Sequence, residues 1–228
     1  MKCPYQYTIL LPENMDSEKK YPVIYALHGI GYNEQFMMDL VKDLRDEPII
    51  IGIRGDLPFK TGYAYYYLKD YGVPERDLFF NSIEKLLEFI EYTIQTYPID
   101  PQNKYIIGFS QGAILSTCLA LVLGETITGI VPMNGYVPDF LNEVYSLKSI
   151  DHLSVFLCQG LHDTIFPLKV GQENFEYFCE HARSVKYTIY PTAHEISENN
   201  GKDITVWLRQ QIKANEKQMS MEETTCKE

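Results

Sequence analysis

The sequence predicts an α/β fold with a mostly parallel central sheet and helices on both faces. Short apolar runs typical of buried strands alternate along the chain with runs of ten or more residues that have a helical period. Parallel strands need long crossover connections, and helices of that length provide them. Because 228 residues can bury one large core, we expect a single domain over residues 1–214 and a polar tail after it.

The individual elements are predicted from their composition and from the residues that bound them. Residues 5–11 are rich in β-formers and end at Pro12, which is typical of an edge strand. Asn33 is placed to cap a helix with the apolar face Phe36, Met37, Leu40, Val41 and Leu44. Buried strands are expected at residues 21–27, 48–53, 128–133, 154–158 and 185–190, with another opening at Lys104. Further helices are expected at residues 77–96, 168–181 and 197–214, and between Ser110 and Leu123.

Three segments show neither a strand nor a helix period. Residues 54–75 are rich in glycine and tyrosine, and we predict that they form a long functional loop. Residues 135–150 are expected to be an irregular or partly helical insertion. Residues 215–228 are polar and charged, which predicts a disordered tail.

The charge and the cysteine pattern argue against several kinds of partner. The formal net charge of -11 disfavours nucleic acid and anionic membrane surfaces, because both are polyanions. No apolar run is long enough to span a bilayer and no N-terminal stretch resembles a signal peptide, so no integral membrane association is expected. The five cysteines are scattered and lack metal-binding spacing, which favours a reduced, cytoplasmic protein. No metal or organic cofactor is expected. A homodimer is left open.

One stretch carries a chemical signature. Gly108, Ser110 and Gly112 form a Gly-x-Ser-x-Gly pattern between the strand that opens at Lys104 and the helix that follows. In that context the pattern is typical of a nucleophile elbow, a tight strand-to-helix turn that presents a serine hydroxyl. The turn strains the serine backbone, so the residues two positions away have to be small. A solvated serine in an ordinary turn is the alternative.

A nucleophilic serine needs a base, and the base needs a third group that orients it. His194 and Asp163 each follow a predicted strand, and the carboxyl ends of parallel strands share one edge of a sheet. The order Ser110, Asp163, His194 is the order expected with a nucleophile elbow. Asp139 follows an earlier strand and is the alternative acid.

Stabilising the tetrahedral oxyanion requires two backbone N–H groups. One is expected from Gln111, the residue after the nucleophile, and the other from a loop after an early strand. The loop His28-Gly29-Ile30-Gly31 fits this role because its glycines allow close backbone approach, and Ile30 is the expected donor. A plain glycine-rich turn is the alternative.

Four motifs of the chain together are similar to those of one known family. The chain resembles the phospholipase/carboxylesterase group of α/β-hydrolases, which includes acyl-protein thioesterases. The motifs that carry the resemblance are Leu27-His28-Gly29-Ile30-Gly31, Gly108-Phe109-Ser110-Gln111-Gly112, Asp163 with Pro167, and His194-Glu195-Ile196-Ser197. The resemblance implies an α/β-hydrolase fold with little or no cap. It also implies hydrolysis of small-molecule esters or thioesters by Ser110, Asp163 and His194, with Ile30 and Gln111 as oxyanion donors.

The substrate site is expected to be apolar and aromatic. We predict that it involves Ile30, part of residues 135–150, Tyr63 and Tyr65, and the loop residues His28, Gly29 and Gly31. Core packing is the alternative for the aromatic side chains. The chain departs from the family pattern at Tyr32-Asn33-Glu34 and in the tyrosine-rich residues 62–67, where relatives frequently have a tryptophan.

Three other classes of protein fit the sequence less well. A peptidase of the same fold would usually carry a large extra domain, and a dienelactone-type hydrolase would have cysteine in place of Ser110. A catalytically silent scaffold or ligand-binding protein on the same fold would not need all three groups of a triad. The sequence therefore favours a serine hydrolase.

Overall fold

The computed structural model describes residues 2–44, 47–70 and 72–225. The strands along these residues are β1 (Gln6–Leu10), β2 (Tyr21–Leu27), β3 (Ile49–Arg54), β4 (Leu57–Phe59), β5 (Gly62–Ala64), β6 (Leu68–Asp70), β7 (Val73–Pro74), β8 (Ile99–Phe109), β9 (Gly129–Met133), β10 (Ser154–Gly160) and β11 (Ser184–Tyr190). The main sheet has the order β1-β3-β2-β8-β9-β10-β11. Strand β1 is antiparallel to β3, and the other neighbouring pairs are parallel. The predicted fold class is confirmed, and β1 is an edge strand.

Helices cover both faces of this sheet. They are α1 (Glu34–Val41), α2 (Arg76–Thr96), α3 (Gln111–Leu123), α4 (Leu168–His181) and α5 (Glu198–Thr225). Helices α1 and α5 pack on one face, and α2, α3 and α4 pack on the other. Successive side chains of a strand point to opposite faces, so Val23, Tyr25 and Leu27 enter one core and Ile24 and Ala26 enter the other. Every residue of β2 is buried, as parallel strands covered on both faces require.

The segment 54–75, which the sequence predicts to be a long functional loop, contains short strands. It contains two antiparallel hairpins, in which β4 pairs with β5 and β6 pairs with β7. Strands of two or three residues are too short to give a period in the sequence. Tyr63 of β5 also forms a β-bridge with Tyr32, so the first hairpin lies against the loop that follows β2.

The last helix is longer than predicted. Helix α5 continues to Thr225, through most of the segment expected to be a disordered tail. Residues 226–228 of that tail lie outside the described residues. The sequence beyond Ile212 has no apolar stripe, so the hydrophobic pattern does not predict a helix there. Its lysine, glutamate, glutamine and methionine residues do have good helix propensity, which favours the helix that is observed.

The remaining boundaries differ from the predictions by a few residues. Strand β8 begins at Ile99 rather than Lys104, and β10 runs on to Gly160. Helix α1 ends at Val41, and a 3₁₀ turn at Lys42–Leu44 replaces its predicted last turn. Asn33 caps α1 as predicted, since its side-chain oxygen accepts hydrogen bonds from the next N–H groups of the helix.

Two further observations complete the fold. Residues 135–150 are irregular except for a 3₁₀ turn at Leu141–Glu143, in agreement with the predicted insertion. None of the helices in the described ranges combines the length and the apolar character needed to cross a bilayer.

Candidate active site

Ser110 lies on the turn between β8 and α3 in a strained backbone conformation. Its φ angle is +53°, a value that residues with a side chain rarely adopt. A Cβ atom on Gly108 would lie 2.1 Å from the carbonyl oxygen of Gly112, and one on Gly112 would lie 2.2 Å from the carbonyl oxygen of Leu27. Only glycine fits at either position, which is the physical reason for the Gly-x-Ser-x-Gly spacing.

The structure brings Ser110, His194 and Asp163 into one hydrogen-bonded chain. His194 Nδ1 donates to Asp163 Oδ2 at 2.7 Å, and the Ser110 hydroxyl donates to His194 Nε2 at 2.8 Å. The residues follow β8, β11 and β10 respectively, so the carboxyl ends of three parallel strands place them together. This geometry allows the imidazole to take the serine proton.

The environments of Asp163 and His194 differ. The Asp163 side chain is fully buried, and its Oδ1 accepts hydrogen bonds from the N–H groups of Ile165 and Phe166 at 2.8 and 2.9 Å. The His194 side chain is 21% exposed and lies between the rings of Phe109 and Phe166, with centroid distances of 5.1 and 5.5 Å. The carboxylate is therefore held rigidly, and the imidazole is confined by aromatic walls.

The alternative acid lies elsewhere. Asp139 is exposed and borders a surface groove, whereas the carboxylate that hydrogen-bonds to His194 belongs to Asp163.

The two predicted oxyanion donors have free N–H groups. Gln111 is the first residue of α3, where backbone N–H groups lack a partner within the helix. Ile30 lies in the turn closed by a hydrogen bond from Tyr32 N–H to the Gly29 carbonyl. Within the described part of the chain, neither N–H has a hydrogen-bond acceptor. Gly31 adopts a φ angle of +85°, which a residue without a Cβ tolerates.

Two of the predicted substrate-binding side chains lie in the core instead. Tyr65 is 1% exposed, and its hydroxyl donates to the Ile53 carbonyl at 2.7 Å. His28 is fully buried and packs against Tyr65, with ring centroids 4.8 Å apart and the ring planes tilted by 32°. We therefore correct the prediction for these two side chains, because sequence patterns do not tell which face of a loop an aromatic ring takes. Tyr63 is partly exposed, beneath the guanidinium of Arg54.

His28 is held in its neutral form. Its Nε2 accepts a hydrogen bond from Gly55 N–H at 2.9 Å, so the hydrogen is on Nδ1, which donates to the Gly29 carbonyl at 2.7 Å. Burial lowers the pKa of His28 to about 4. A proton on Nε2 would face the N–H of Gly55, so this contact also disfavours the charged ring and agrees with a lowered pKa.

The lowered pKa of His28 predicts a loss of stability in acid. In the unfolded chain the imidazole binds a proton below pH ~6.5, while in the folded state it stays neutral until pH ~4. The unfolded state therefore binds more protons in this window, and stability falls as the pH falls through it. Between pH 7 and pH 4 we expect the wild type to lose about 3 kcal/mol more unfolding free energy than His28→Gln.

Urea unfolding of both proteins at a series of pH values measures this difference. His181→Gln, at the exposed end of α4, is the matched control and should follow the wild-type curve. Parallel curves for the wild type and His28→Gln would contradict a buried neutral His28.

Asn134 is a site residue that sequence reasoning missed. It follows β9, has a φ angle of +51° and is 3% exposed. Its Oδ1 accepts from Gly160 N–H at 2.9 Å, and its Nδ2 donates to the Ala193 carbonyl at 3.5 Å. The amide thus joins the strand end before Asp163 to the residue before His194. An asparagine after a strand gives no signal that separates this role from an ordinary turn.

An apolar groove of about 610 Å³ has Phe166 as one of its lining residues. Its walls include Tyr136, Val137, Phe166, Val170 and Tyr177, and two carboxylates, those of Asp139 and Glu173, also border it. Phe166 joins the groove to the site, since its ring also packs against His194. Tyr136, Val137 and Asp139 of this groove belong to residues 135–150, whose part in substrate binding stays a prediction.

Comparison with known proteins places the chain in a family. A sequence model described as phospholipase/carboxylesterase matches residues 59–212, more than half of the chain. The chain belongs to the phospholipase/carboxylesterase family. Membership makes it an esterase or thioesterase-type hydrolase, as the motif resemblance implied.

Individual family members are only distantly similar. The putative hydrolase MhqD of Bacillus subtilis is 21% identical over 192 residues, covering 83% of this chain and 94% of that protein. Acyl-protein thioesterase 1 of Debaryomyces hansenii is 29% identical over 144 residues, covering 59% of this chain and 61% of that protein. The crystal structure of a Bacillus cereus carboxylesterase superimposes with a TM-score of 0.78 at 21% identity, covering 91% of this chain and 94% of that one. The structural match shows the α/β-hydrolase fold.

Proposed function

We propose that this family member hydrolyses carboxylic esters or thioesters by acyl transfer, with Ser110 as nucleophile, His194 as base and Asp163 as the acid that orients it. The observation that carries the proposal is the continuous chain of hydrogen bonds, 2.8 Å from Ser110 to His194 and 2.7 Å from His194 to Asp163. Ser110 is a nucleophile in this proposal because its hydroxyl faces a neutral nitrogen acceptor at hydrogen-bond distance.

The first half of the proposed reaction forms an acyl-enzyme. Ser110 Oγ attacks the carbonyl carbon while its proton moves to His194 Nε2, and the carbonyl oxygen becomes an oxyanion. The N–H groups of Ile30 and Gln111 bind that oxyanion. Asp163 stabilises the imidazolium, which then protonates the leaving alkoxide or thiolate as its bond to carbon breaks.

The second half releases the acid. A water molecule gives its proton to His194 Nε2 and attacks the acyl carbon, which forms a second oxyanion in the same place. Collapse of this intermediate breaks the bond to Ser110 Oγ, and the imidazolium returns its proton to the serine. The balanced reaction consumes one water and yields one carboxylic acid and one alcohol or thiol.

The apolar groove lined by Phe166, whose ring packs against His194, supports a small or lipid-like apolar acyl substrate. Its walls carry aromatic and aliphatic side chains, which gain free energy by covering apolar groups. The carboxylates of Asp139 and Glu173 border the same groove and disfavour a negatively charged group there.

A panel of p-nitrophenyl esters and acyl-CoA thioesters of graded chain length tests the proposal. We expect hydrolysis of at least some esters, with kcat/KM that depends on the acyl chain. The matched control is Ser110→Ala, which should be inactive on every member. Turnover by the variant at the wild-type rate would exclude this site, and a wild type inactive on the whole panel would favour a silent binding protein.

The cellular setting is also a proposal. Cys3, Cys118, Cys158 and Cys179 are unpaired in the described part of the chain, which supports a reducing, cytoplasmic location. A homodimer stays a prediction that sedimentation analysis would test.

A further inference from the structure

The side chain of Gln111 makes contacts that its role as an oxyanion donor does not require. It is 3% exposed, and both ends of its amide are used. Oε1 accepts from Tyr65 N–H at 2.8 Å, and Nε2 donates to the Tyr66 carbonyl at 2.8 Å. The backbone N–H of Tyr65 and the backbone carbonyl of Tyr66 are buried and need hydrogen-bond partners. The Gln111 amide satisfies both, as a neighbouring strand would in a sheet.

Residues 62–66, the segment that contains Tyr65 and Tyr66, also hydrogen-bond to the loop of Ile30, the other predicted oxyanion donor. These bonds are made by Tyr63, two residues before Tyr65. Gly31 N–H donates to the Tyr63 carbonyl at 2.8 Å, and Tyr63 N–H donates to the Tyr32 carbonyl at 2.8 Å. A Cβ atom on Gly62 would lie 2.1 Å from the Gly31 carbonyl oxygen, so the two backbones are in direct contact. Ile30 immediately precedes the gripped residues.

An ion pair between Arg54 and Glu34 packs against residues 62–66 through the Tyr63 ring. The Arg54 guanidinium lies 4.9 Å from the centroid of the Tyr63 ring and forms a bidentate ion pair with Glu34 of α1. A Cβ atom on Gly55 would lie 2.4 Å from the Ala64 carbonyl oxygen, which leaves no room for the segment to move inward. Residues 62–66 are therefore held on both sides.

We propose that the Gln111 side chain is a positioning residue that sets the spacing between the two oxyanion donors. Its backbone supplies one N–H, and its amide holds residues 62–66, which in turn hold the Ile30 loop. Such donors stabilise a transition state only where they are preorganised around the developing charge. The inference rests on the proposed acyl-transfer function and assigns a separate role within it.

Gln111→Met separates the two roles of this residue. The variant keeps the backbone N–H, the side-chain length and the helix propensity, and it removes only the amide contacts. Two readouts are needed: kcat and KM on the best p-nitrophenyl ester, and Ki for a trifluoromethyl ketone. Ser110 Oγ adds to the carbonyl carbon of that ketone, its proton passes to His194, and the carbonyl oxygen becomes an oxyanion in the same hole.

We expect kcat to fall roughly tenfold to a hundredfold, with KM within about twofold of wild type. The Ki of the ketone should rise by the same factor as kcat/KM falls, because both depend on the oxyanion donors. Gly62→Ala places a methyl group against the Gly31 carbonyl, at the opposite end of residues 62–66 from the Gln111 contacts. It should also lower kcat and raise the Ki of the ketone. It also keeps the proposal testable if Gln111→Met does not fold.

Tyr25→Phe is the matched control for loss of a buried hydrogen bond. It removes the 2.8 Å contact between Tyr25 and Thr93, remote from the site, and should lower thermal stability without changing kcat or Ki. Folded Gln111→Met and Gly62→Ala proteins with wild-type Ki would overturn the inference, as would a fall in kcat without a rise in Ki. A wild type that neither hydrolyses esters nor binds the ketone would instead refute the proposed function.

Discussion

Asp163→Asn is expected to lower kcat by about four orders of magnitude while leaving KM nearly unchanged. The asparagine keeps one oxygen for the N–H groups of Ile165 and Phe166, so the loop after β10 retains its hydrogen bonds. Its amide NH₂ then faces His194 Nδ1 and turns that nitrogen into an acceptor. The imidazole hydrogen moves to Nε2, which can no longer take the Ser110 proton.

Asp139→Asn is the matched control for this prediction. It makes the same chemical change in an exposed carboxylate that does not hydrogen-bond to His194. Steady-state kinetics of both variants on one p-nitrophenyl ester should show a kcat for Asp139→Asn far above that of Asp163→Asn. If Asp139→Asn were the weaker enzyme and Asp163→Asn nearly normal, the acid would have been assigned to the wrong strand end.

Ser110→Ala is expected to remove at least four orders of magnitude of kcat and to leave stability close to wild type. Alanine keeps the same Cβ atom in the strained turn, and the backbone hydrogen bond from residue 110 to the Met133 carbonyl does not involve the hydroxyl. The lost group is the nucleophile itself, so no other side chain compensates. Initial rates and thermal unfolding measure the two effects.

Ser116→Ala supplies the comparison for Ser110→Ala. Ser116 is buried in α3, the helix that follows Ser110, and its hydroxyl donates to the Ala113 carbonyl at 2.8 Å. Loss of that hydroxyl should change stability more than activity. A Ser110→Ala enzyme with activity comparable to Ser116→Ala would show that ester hydrolysis occurs elsewhere on the protein.

The parts of the candidate site that sequence analysis predicts are marked by a short motif or by the position of a strand end. The elbow is recognisable because backbone contacts admit only glycine at Gly108, which lies against Gly112, and at Gly112, which lies against Leu27 of β2. Asp163 and His194 are found because parallel topology brings successive strand ends to one edge of the sheet. Asn33 is recognised as a helix cap for a similarly local reason, since its side chain bonds to the next residues of its own helix.

The parts that it misses depend on contacts between distant segments. Tyr63 and Tyr65 alternate in a tyrosine-rich segment, yet only the fold decides that Tyr65 packs on His28 in the core while Tyr63 lies under Arg54. The side-chain bonds of Gln111 span more than forty residues, and no spacing in the sequence encodes them. Tyr63 and Tyr65 are the same residue type, and they differ in burial, which only the folded structure shows.

Reaction with a fluorophosphonate, followed by peptide mass mapping, tests the central proposal most directly. The reagent phosphonylates a serine only where a neighbouring base activates the hydroxyl and donors stabilise the developing charge. We expect one phosphonyl group per folded chain, on the peptide that contains Ser110, and none on Ser110→Ala or on the unfolded wild type. An ester-hydrolysing wild type that gains no phosphonyl group, or gains it on a different residue, would contradict the assignment of Ser110 as the nucleophile.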